Sequence, residues 1–181
     1  MNALSVLRFA TLDSTQTHAK RLTQEGAPPA TVICAGSQTA GYGRKGDAWE
    51  SATGGLWFSV ILRPAFAPVD GALFSVQVAQ RVADVLGRHF PGIDLTVKAP
   101  NDVLAGSSGH SPRKICGILV EASVTGDNYD WMVVGVGINV NNSLSVALKS
   151  RAVTLKELAA REVALEPLLA DLVDSITSLL F

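Results

Sequence analysis

Apolar residues recur along the chain at two spacings, and the switch between them separates strands from helices. Residues 5–11 alternate loosely between apolar and polar, which predicts a first strand. Asp13-Ser14-Thr15 follows, with small oxygen-bearing side chains that cap exposed helix N–H groups. Ala19 and Leu22 continue that helix, and Gly26, Pro28 and Pro29 end it. Residues 31–35 form a short β-branched run, and residues 56–62 are as strongly strand-like. Between them, residues 36–55 are polar, aperiodic and hold six glycines. Leu73, Val76, Ala79, Val82, Ala83 and Leu86 have the three-and-four spacing of a helix laid on a sheet, predicted over 72–90. A short strand near 95–98 comes next, then a loop, then apolar strands at 114–121 and 131–139. From 153 to 181 the chain reads as a helical tail, with Leu155, Leu158, Leu165, Leu168, Leu169, Leu172, Val173 and Ile176 on its apolar side.

These strands neither alternate strictly with helices nor cluster at one end. The predicted fold class is therefore α+β, a mixed sheet with helices packed mainly on one face. A doubly wound sheet fits less well, because 31–35 and 56–62 are joined by nothing helix-like. At 181 residues and 48% hydrophobic content, with mean hydropathy +0.28, the chain is expected to close one core as a single domain. Fifteen basic residues against sixteen acidic ones leave a net charge of −1, without the basic footprint of a nucleic-acid or anionic-membrane binder. No basic segment leads into a long apolar one at the N-terminus, and no run nears the ~20 apolar residues of a membrane span. The expectation is a cytoplasmic protein with no nucleic-acid or membrane partner. Cys34 and Cys116 are too few for a disulfide framework and sit in runs that read as buried strands. His18, His89 and His110 are scattered, with no zinc-type spacing.

Four segments carry candidate chemistry. Residues 37–49 include Gly41, Tyr42, Gly43, Arg44, Lys45, Gly46, Asp47 and Trp49 after a buried strand. Glycines there permit close backbone approach, and Arg44 with Lys45 brings positive charge to a turn whose N–H groups can cradle an anion. The spacing is not that of a Walker loop, and a solvated glycine-rich turn would use similar residues. The second segment, Lys98-Ala99-Pro100-Asn101-Asp102, turns the chain at a strand end, as an ordinary turn also would. In the third, Lys114 opens an otherwise apolar strand running through Gly117 to Glu121; a lysine snorkelling at a strand end is the plainer reading. The fourth, Gly135-Val136-Gly137-Ile138-Asn139, lacks the third glycine of a dinucleotide fingerprint.

Taken together and in this order, the segments resemble the catalytic domain of biotin protein ligases. The family pattern has a Ser-Thr pair after the first strand and a glycine-arginine loop ending in Trp. Lys-Trp-Pro-Asn-Asp, Lys-x-x-Gly-Ile-Leu-Val-Glu and Gly-x-Gly-Ile-Asn follow. The chain matches at Ser14-Thr15, Gln38 to Trp49, Lys98 to Asp102, Lys114 to Glu121 and Gly135 to Asn139. It departs at Tyr42 and Asp47, where arginines are usual, and at Ala99, where Trp is usual. The loop so loses two positive charges and gains a negative one, which weakens its grip on phosphates. No helix-turn-helix is expected before Ser5, and the family's small C-terminal β-barrel is expected to be absent or truncated.

The resemblance implies an ATP-dependent ligase with Mg²⁺ as cofactor and biotin as substrate. Biotin would be activated as biotinyl-5′-adenylate and passed to a lysine of a biotin carboxyl carrier protein. Lys114 and Arg44 would be the catalytic pair. Ser14, Thr15, Gln16, Gln38, Tyr42, Gly43, Arg44, Lys114 and Gly117 would bind biotin. Arg44, Trp49, Asn101, Asp102, Lys114 and Asn139 would bind ATP and the adenylate, with Asp102 the ligand for Mg²⁺. The family also suggests a homodimer. A non-catalytic module that binds biotin or its adenylate, and a lipoate or octanoate ligase, remain open alternatives at this point.

Overall fold

Successive side chains of a strand point to opposite faces, so the continuous apolar runs of the central strands put apolar residues on both sides of the sheet. The computed structural model describes residues 5–107 and 111–180. Its strands are β1 (Ser5–Leu12), β2 (Thr31–Gln38), β3 (Leu56–Leu62), β4 (Asp94–Lys98), β5 (Asp102–Gly106), β6 (Arg113–Thr125) and β7 (Asn128–Ile138). The helices are α1 (Thr15–Gln24), α2 (Gly71–His89), α3 (Leu155–Ala159) and α4 (Leu165–Thr177). All seven strands form one sheet in the order β1-β2-β3-β7-β6-β5-β4. Only β1 and β2 pair in parallel, and every other neighbour is antiparallel. The expected mixed sheet is what forms.

One face carries the main core. Val32, Val60, Ile118, Val134 and Val136 pack there with Phe74, Val78 and Val82 of α2 and Leu168, Leu172 and Ile176 of α4. One residue along on the same strands, Ile33, Ile61 and Val133 point the other way and meet Ala19 of α1. Three of the four helices begin where the sequence supplies a side-chain acceptor, and α4, which starts after Ala164, does not. Ser14 caps α1 through Thr17 N at 3.4 Å, Asp70 caps α2 through Ala72 N at 2.7 Å, and Thr154 caps α3 through Glu157 N at 3.1 Å.

Three expectations need correction. The segment after residue 98 is not only a loop: β5 is a strand held by hydrogen bonds from β4 on one side and β6 on the other. Its five residues are too short to show a pattern alone, and pairing with both neighbours supplies the stability. The tail is two helices, because Ala160 adopts a left-handed φ of 53° at the end of α3. Asn141 then clamps the connection, accepting from Val163 N at 3.0 Å and donating to Val163 O at 2.9 Å. Cys116 is buried in the main core, but Cys34 is only half-buried. The neighbour of Cys34 on β1 is Arg8, a polar residue on the outermost strand of that side. His110 and Phe181 lie outside the described residues, as does part of the long connection before Lys114.

Burial pushes the Cys116 thiol far up from its ordinary value, and it raises that of Cys34. The thiolate is the nucleophile, so native protein at pH 8 should react slowly with iodoacetamide at Cys34 and not at Cys116. Peptide mass spectrometry after pulsed labelling checks this: Cys116 is expected to appear only once denaturant unfolds the chain. Rapid native modification of Cys116 would contradict its placement.

Candidate functional site

The second face of the sheet is bare where the first is full. Glu121, Leu119 and Gly117 of β6 stand opposite Val133, Gly135 and Gly137 of β7, on the α1 side. Ser59 and Trp57 of β3 share that face with Gly135 and Gly137. Helix α1 covers the end at Val133 and Ile61 but not the glycines. The result is a trough crossing the sheet, opening into a cavity of about 1350 Å³.

The loop between β2 and β3 roofs this trough, and it has structure of its own. Gln38 pairs with Ser51 and Tyr42 with Ala48. Trp49 N donates to Gly41 O at 2.9 Å and Gly43 N to Asp47 O at 2.8 Å, so residues 38–51 form a small irregular hairpin. Its tip is one turn of 3₁₀ helix, Arg44–Gly46, in which Lys45 has a φ of 60°. The Gly43 N–H is spent inside the hairpin. Trp49 lies flat on the glycines: a Cβ at Gly137 would fall 2.6 Å from Trp49 Nε1, and one at Gly117 2.8 Å from Trp49 Cζ3. The Trp57 indole meets Trp49 edge-on at 6.4 Å between centroids. Trp49 Nε1 is buried against Gly137 without a hydrogen-bond partner.

At the β2–β3 end the trough closes on buried polar groups. Thr15 donates to Gln38 Oε1 through N at 2.7 Å and Oγ1 at 3.1 Å, and Gln38 Nε2 donates to Ser51 Oγ at 2.7 Å. Ser59 Oγ lies 3.0 Å from both Thr15 Oγ1 and Gln16 Oε1, either of which can accept its hydrogen. Gln16 Nε2 donates to Val133 O at 3.3 Å. Ser14, Thr15, Gln16 and Ser59 are all almost fully buried. Beyond Gln16, a Cβ on Gly135 would fall 2.5 Å from Gln16 Oε1, so glycine there lets the amide reach in.

At the β5–β6 end the chemistry is ionic. Lys114 Nζ pairs with Asp102 Oδ1 at 2.7 Å and lies 4.9 Å over the Trp49 ring. Asn101, in the turn between β4 and β5, donates to Ile118 O at 3.1 Å and accepts from Arg44 Nη1 at 3.3 Å. Arg44 is otherwise exposed. Asn139, at the end of β7, accepts from Asn142 Nδ2 at 3.2 Å. The segment after Asn142 returns to β6, where Lys114 N donates to Arg151 O at 2.8 Å and Val153 N to Lys114 O at 3.0 Å. This segment holds the backbone of Lys114 on one side, and β5 pairs with it on the other.

All thirteen residues singled out from sequence line this one cavity. Ser59, Lys98 and Arg151 line it too and were given no role. Ser59 had a signal, as the lone hydroxyl in the run Leu-Trp-Phe-Ser-Val-Ile-Leu, whereas Arg151 falls in an unpatterned segment. Glu121 also gains a setting that sequence did not show. It accepts from Lys20 Nζ at 2.8 Å and from Tyr42 Oη at 3.0 Å. Burial works against its charge, but the bonds from Lys20, Gln16 and Tyr42 outweigh it and hold its carboxyl below the usual range. Burial likewise opposes the Lys20 charge, yet Glu121 holds its ammonium above the usual lysine range.

Among known proteins, the chain is 35% identical over 160 residues to the bifunctional ligase/repressor BirA of Bacillus subtilis (strain 168), covering 84% of this chain and 46% of that protein. It is 33% identical over 133 residues to the biotin–[acetyl-CoA-carboxylase] ligase of Paracoccus denitrificans, covering 73% and 53% respectively. The chain thus spans about half the length of these curated relatives. Its fold superposes on the biotin protein ligase of Aquifex aeolicus, solved in complex with biotin and ATP, with a TM-score of 0.82 and 30% identity. That match covers 97% of this chain and 70% of the other. The family model for the biotin/lipoate A/B protein ligases matches residues 8–139, which takes in the α1 start, the hairpin, Lys114 and the glycine strip, and the chain belongs to that family.

Proposed function

We propose that this chain is the ligase domain of a biotin protein ligase, which activates biotin with ATP and transfers it to a lysine of a biotin carboxyl carrier protein. The observation that carries this reading is the order of chemistry across the sheet. Neutral hydroxyls and amides lie at one end, an aromatic-roofed glycine floor in the middle, and Lys114, Asp102, Asn101 and Arg44 at the other. A cyclic urea presents one C=O and two N–H groups, and Ser, Thr and Gln can both donate and accept. Ser14, Thr15, Gln16 and Gln38 suit that head, with Gly117 letting the Trp49 ring close down beside the apolar chain. The carboxylate would then reach Lys114.

In the first step a carboxylate oxygen of biotin bonds to the α-phosphorus of ATP as the bond to pyrophosphate breaks. In the second, a carrier amine attacks the acyl carbon, and AMP leaves with loss of a proton. Both steps bring anionic oxygens together, so preorganised positive charge and donors carry the catalysis. Lys114, immobilised by β6 and by Asp102, would offset the charges of carboxylate and phosphate. Arg44 at the hairpin tip would cover the phosphates with its planar fork, supported by Asn101. Trp49 and Asn139 would flank the nucleoside, with Tyr42 and Gly43 shaping the roof. Mg²⁺ would arrive on the phosphates. Asp102 is a single carboxylate, and the described residues hold no group of three metal-ligating side chains, which fits an ion bound mainly by substrate oxygens. Asp102 would hold it there, and the ion would supply charge neutralisation. No helix among the described residues is long and apolar enough to cross a membrane. β1 has no second strand partner among the described residues and offers an edge for the expected homodimer.

The test is incubation of a biotin-carrier domain with the protein, biotin and MgATP, read by mass spectrometry. A gain of one biotin on the carrier is expected, and an unmodified carrier would refute the reading. Lys114→Ala should lower biotin-dependent pyrophosphate exchange by ~10²–10³ while leaving the fold intact. Exchange at the wild-type rate would remove Lys114 from its role. Arg44→Gly removes an exposed side chain with one hydrogen bond, so stability should hold while biotinyl-adenylate escapes faster and labels bystander lysines. An unchanged release rate would show that the hairpin tip is no lid.

A further inference from the structure

The hairpin roof is fastened at three places. Trp49 roots it in the glycine floor, and Arg44 touches Asn101 at the phosphate end. The third contact is of a different kind. Tyr42, in the first arm, donates its phenol hydrogen to Glu121 Oε2 at 3.0 Å, while Glu121 Oε1 accepts from Lys20 at 2.8 Å. The Lys20 ammonium also lies 5.5 Å over the Tyr42 ring. Hairpin, strand β6 and helix α1 therefore meet in one three-membered cluster.

Glu121 alone has little reason to sit there. It follows Leu119 on the trough face and stands opposite Val133, among apolar neighbours. Its side chain and that of Lys20 are each 31% exposed. An ion pair between α1 and β6 would satisfy one carboxylate oxygen, and the second oxygen is turned to the hairpin. A charged acceptor makes a stronger bond to a hydroxyl than a neutral one does. Lys20 fixes the carboxylate, and the carboxylate fixes the phenol.

We propose that Lys20 and Glu121 are positioning residues that latch the roof shut through Tyr42, and so govern how long a bound acid stays in the trough. This rests on the reading of the trough as a biotin site. Neither residue touches the acid. The latch acts on the arm of the hairpin that carries the Gly43 and Trp49 hydrogen bonds. Opening it frees that arm while Trp49 still anchors the other. Lys20, Glu121 and the Tyr42 phenol thus bear on release of the acid, whereas Lys114 bears on its activation.

Hydrogen exchange on the full chain tests the latch directly, without added biotin. In Tyr42→Phe, which keeps the ring and loses the donor, the Gly43 and Trp49 amides should exchange about tenfold faster, the scale of one lost bond to a charged group. Amides of β3 and β7 should be unmoved. Lys20→Met should behave alike, and Lys20→Arg should restore protection. Unchanged exchange at Gly43 and Trp49 in Tyr42→Phe overturns the latch. Stopped-flow release of biotin then tests its role: faster dissociation from Lys20→Met, a residue that does not line the cavity, with pyrophosphate exchange at saturating substrate nearly kept is expected. Equal release rates from variant and wild type overturn the proposed control of retention even if exchange is faster. A wild-type chain that binds no biotin would instead overturn the trough reading, and the control of retention with it, leaving the exchange result to decide the latch.

Discussion

Three missing side chains determine the site. Gly117, Gly135 and Gly137 face the same side of two central antiparallel strands, on a sheet whose opposite face is filled by Val134, Val136, Ile118 and two helices. A sheet with one packed face and one open face normally carries polar residues on the open one. At these three positions the open face carries no side chain, so backbone and an indole ring come within contact distance. Trp49 can lie on β6 and β7 only because a Cβ at 117 or 137 would overlap it. Gln16 can reach over β7 only because residue 135 is glycine. Roof and polar head of the trough both hang on that strip.

The ionic end depends on the strip at one remove. Lys114 lies three residues before Gly117 on β6, against the Trp49 ring and paired to Asp102 from β5. A lysine at a fraying strand end would keep its ammonium in water. Lys114 is held, because β5 runs on one side of its backbone and the 151–153 segment on the other. Charge, donor and aromatic face are in place before any substrate arrives, which is what electrostatic preorganisation requires. The substitutions Tyr42 and Asp47 change this balance. The hairpin keeps Arg44 and Lys45 but uses position 42 for a fastening to Glu121.

Much of this was legible in the chain. Leu56–Leu62 and the amphipathic stripe of α2 announce themselves, because each buries a continuous or periodic apolar set. Ser14 was readable as a cap. The site motifs were readable as motifs, and the structure gathers them around one cavity. What sequence could not show came from long-range pairing. β5 is made a strand by neighbours on either side, and its register shift at Val103/Leu104 has no local signature. The break after Ala159 depends on Asn141, some twenty residues away. The loop after β2 read as irregular because its hairpin is held by isolated bridges and one indole. Glu121 read as the end of a motif, since its partners lie on α1 and in the hairpin.

The central claim is that the bare strip seats Trp49 and Gln16 as the walls against which the acid lies. Calorimetric titration of biotin into wild type and Gly135→Val puts it to the most direct test. The added side chain would meet Gln16 Oε1 and push the amide into the trough. The account predicts binding by the wild type and affinity weakened at least about tenfold in the variant, with circular dichroism and cooperative melting retained. Wild-type affinity in Gly135→Val would mean that the acid lies elsewhere and would contradict the account.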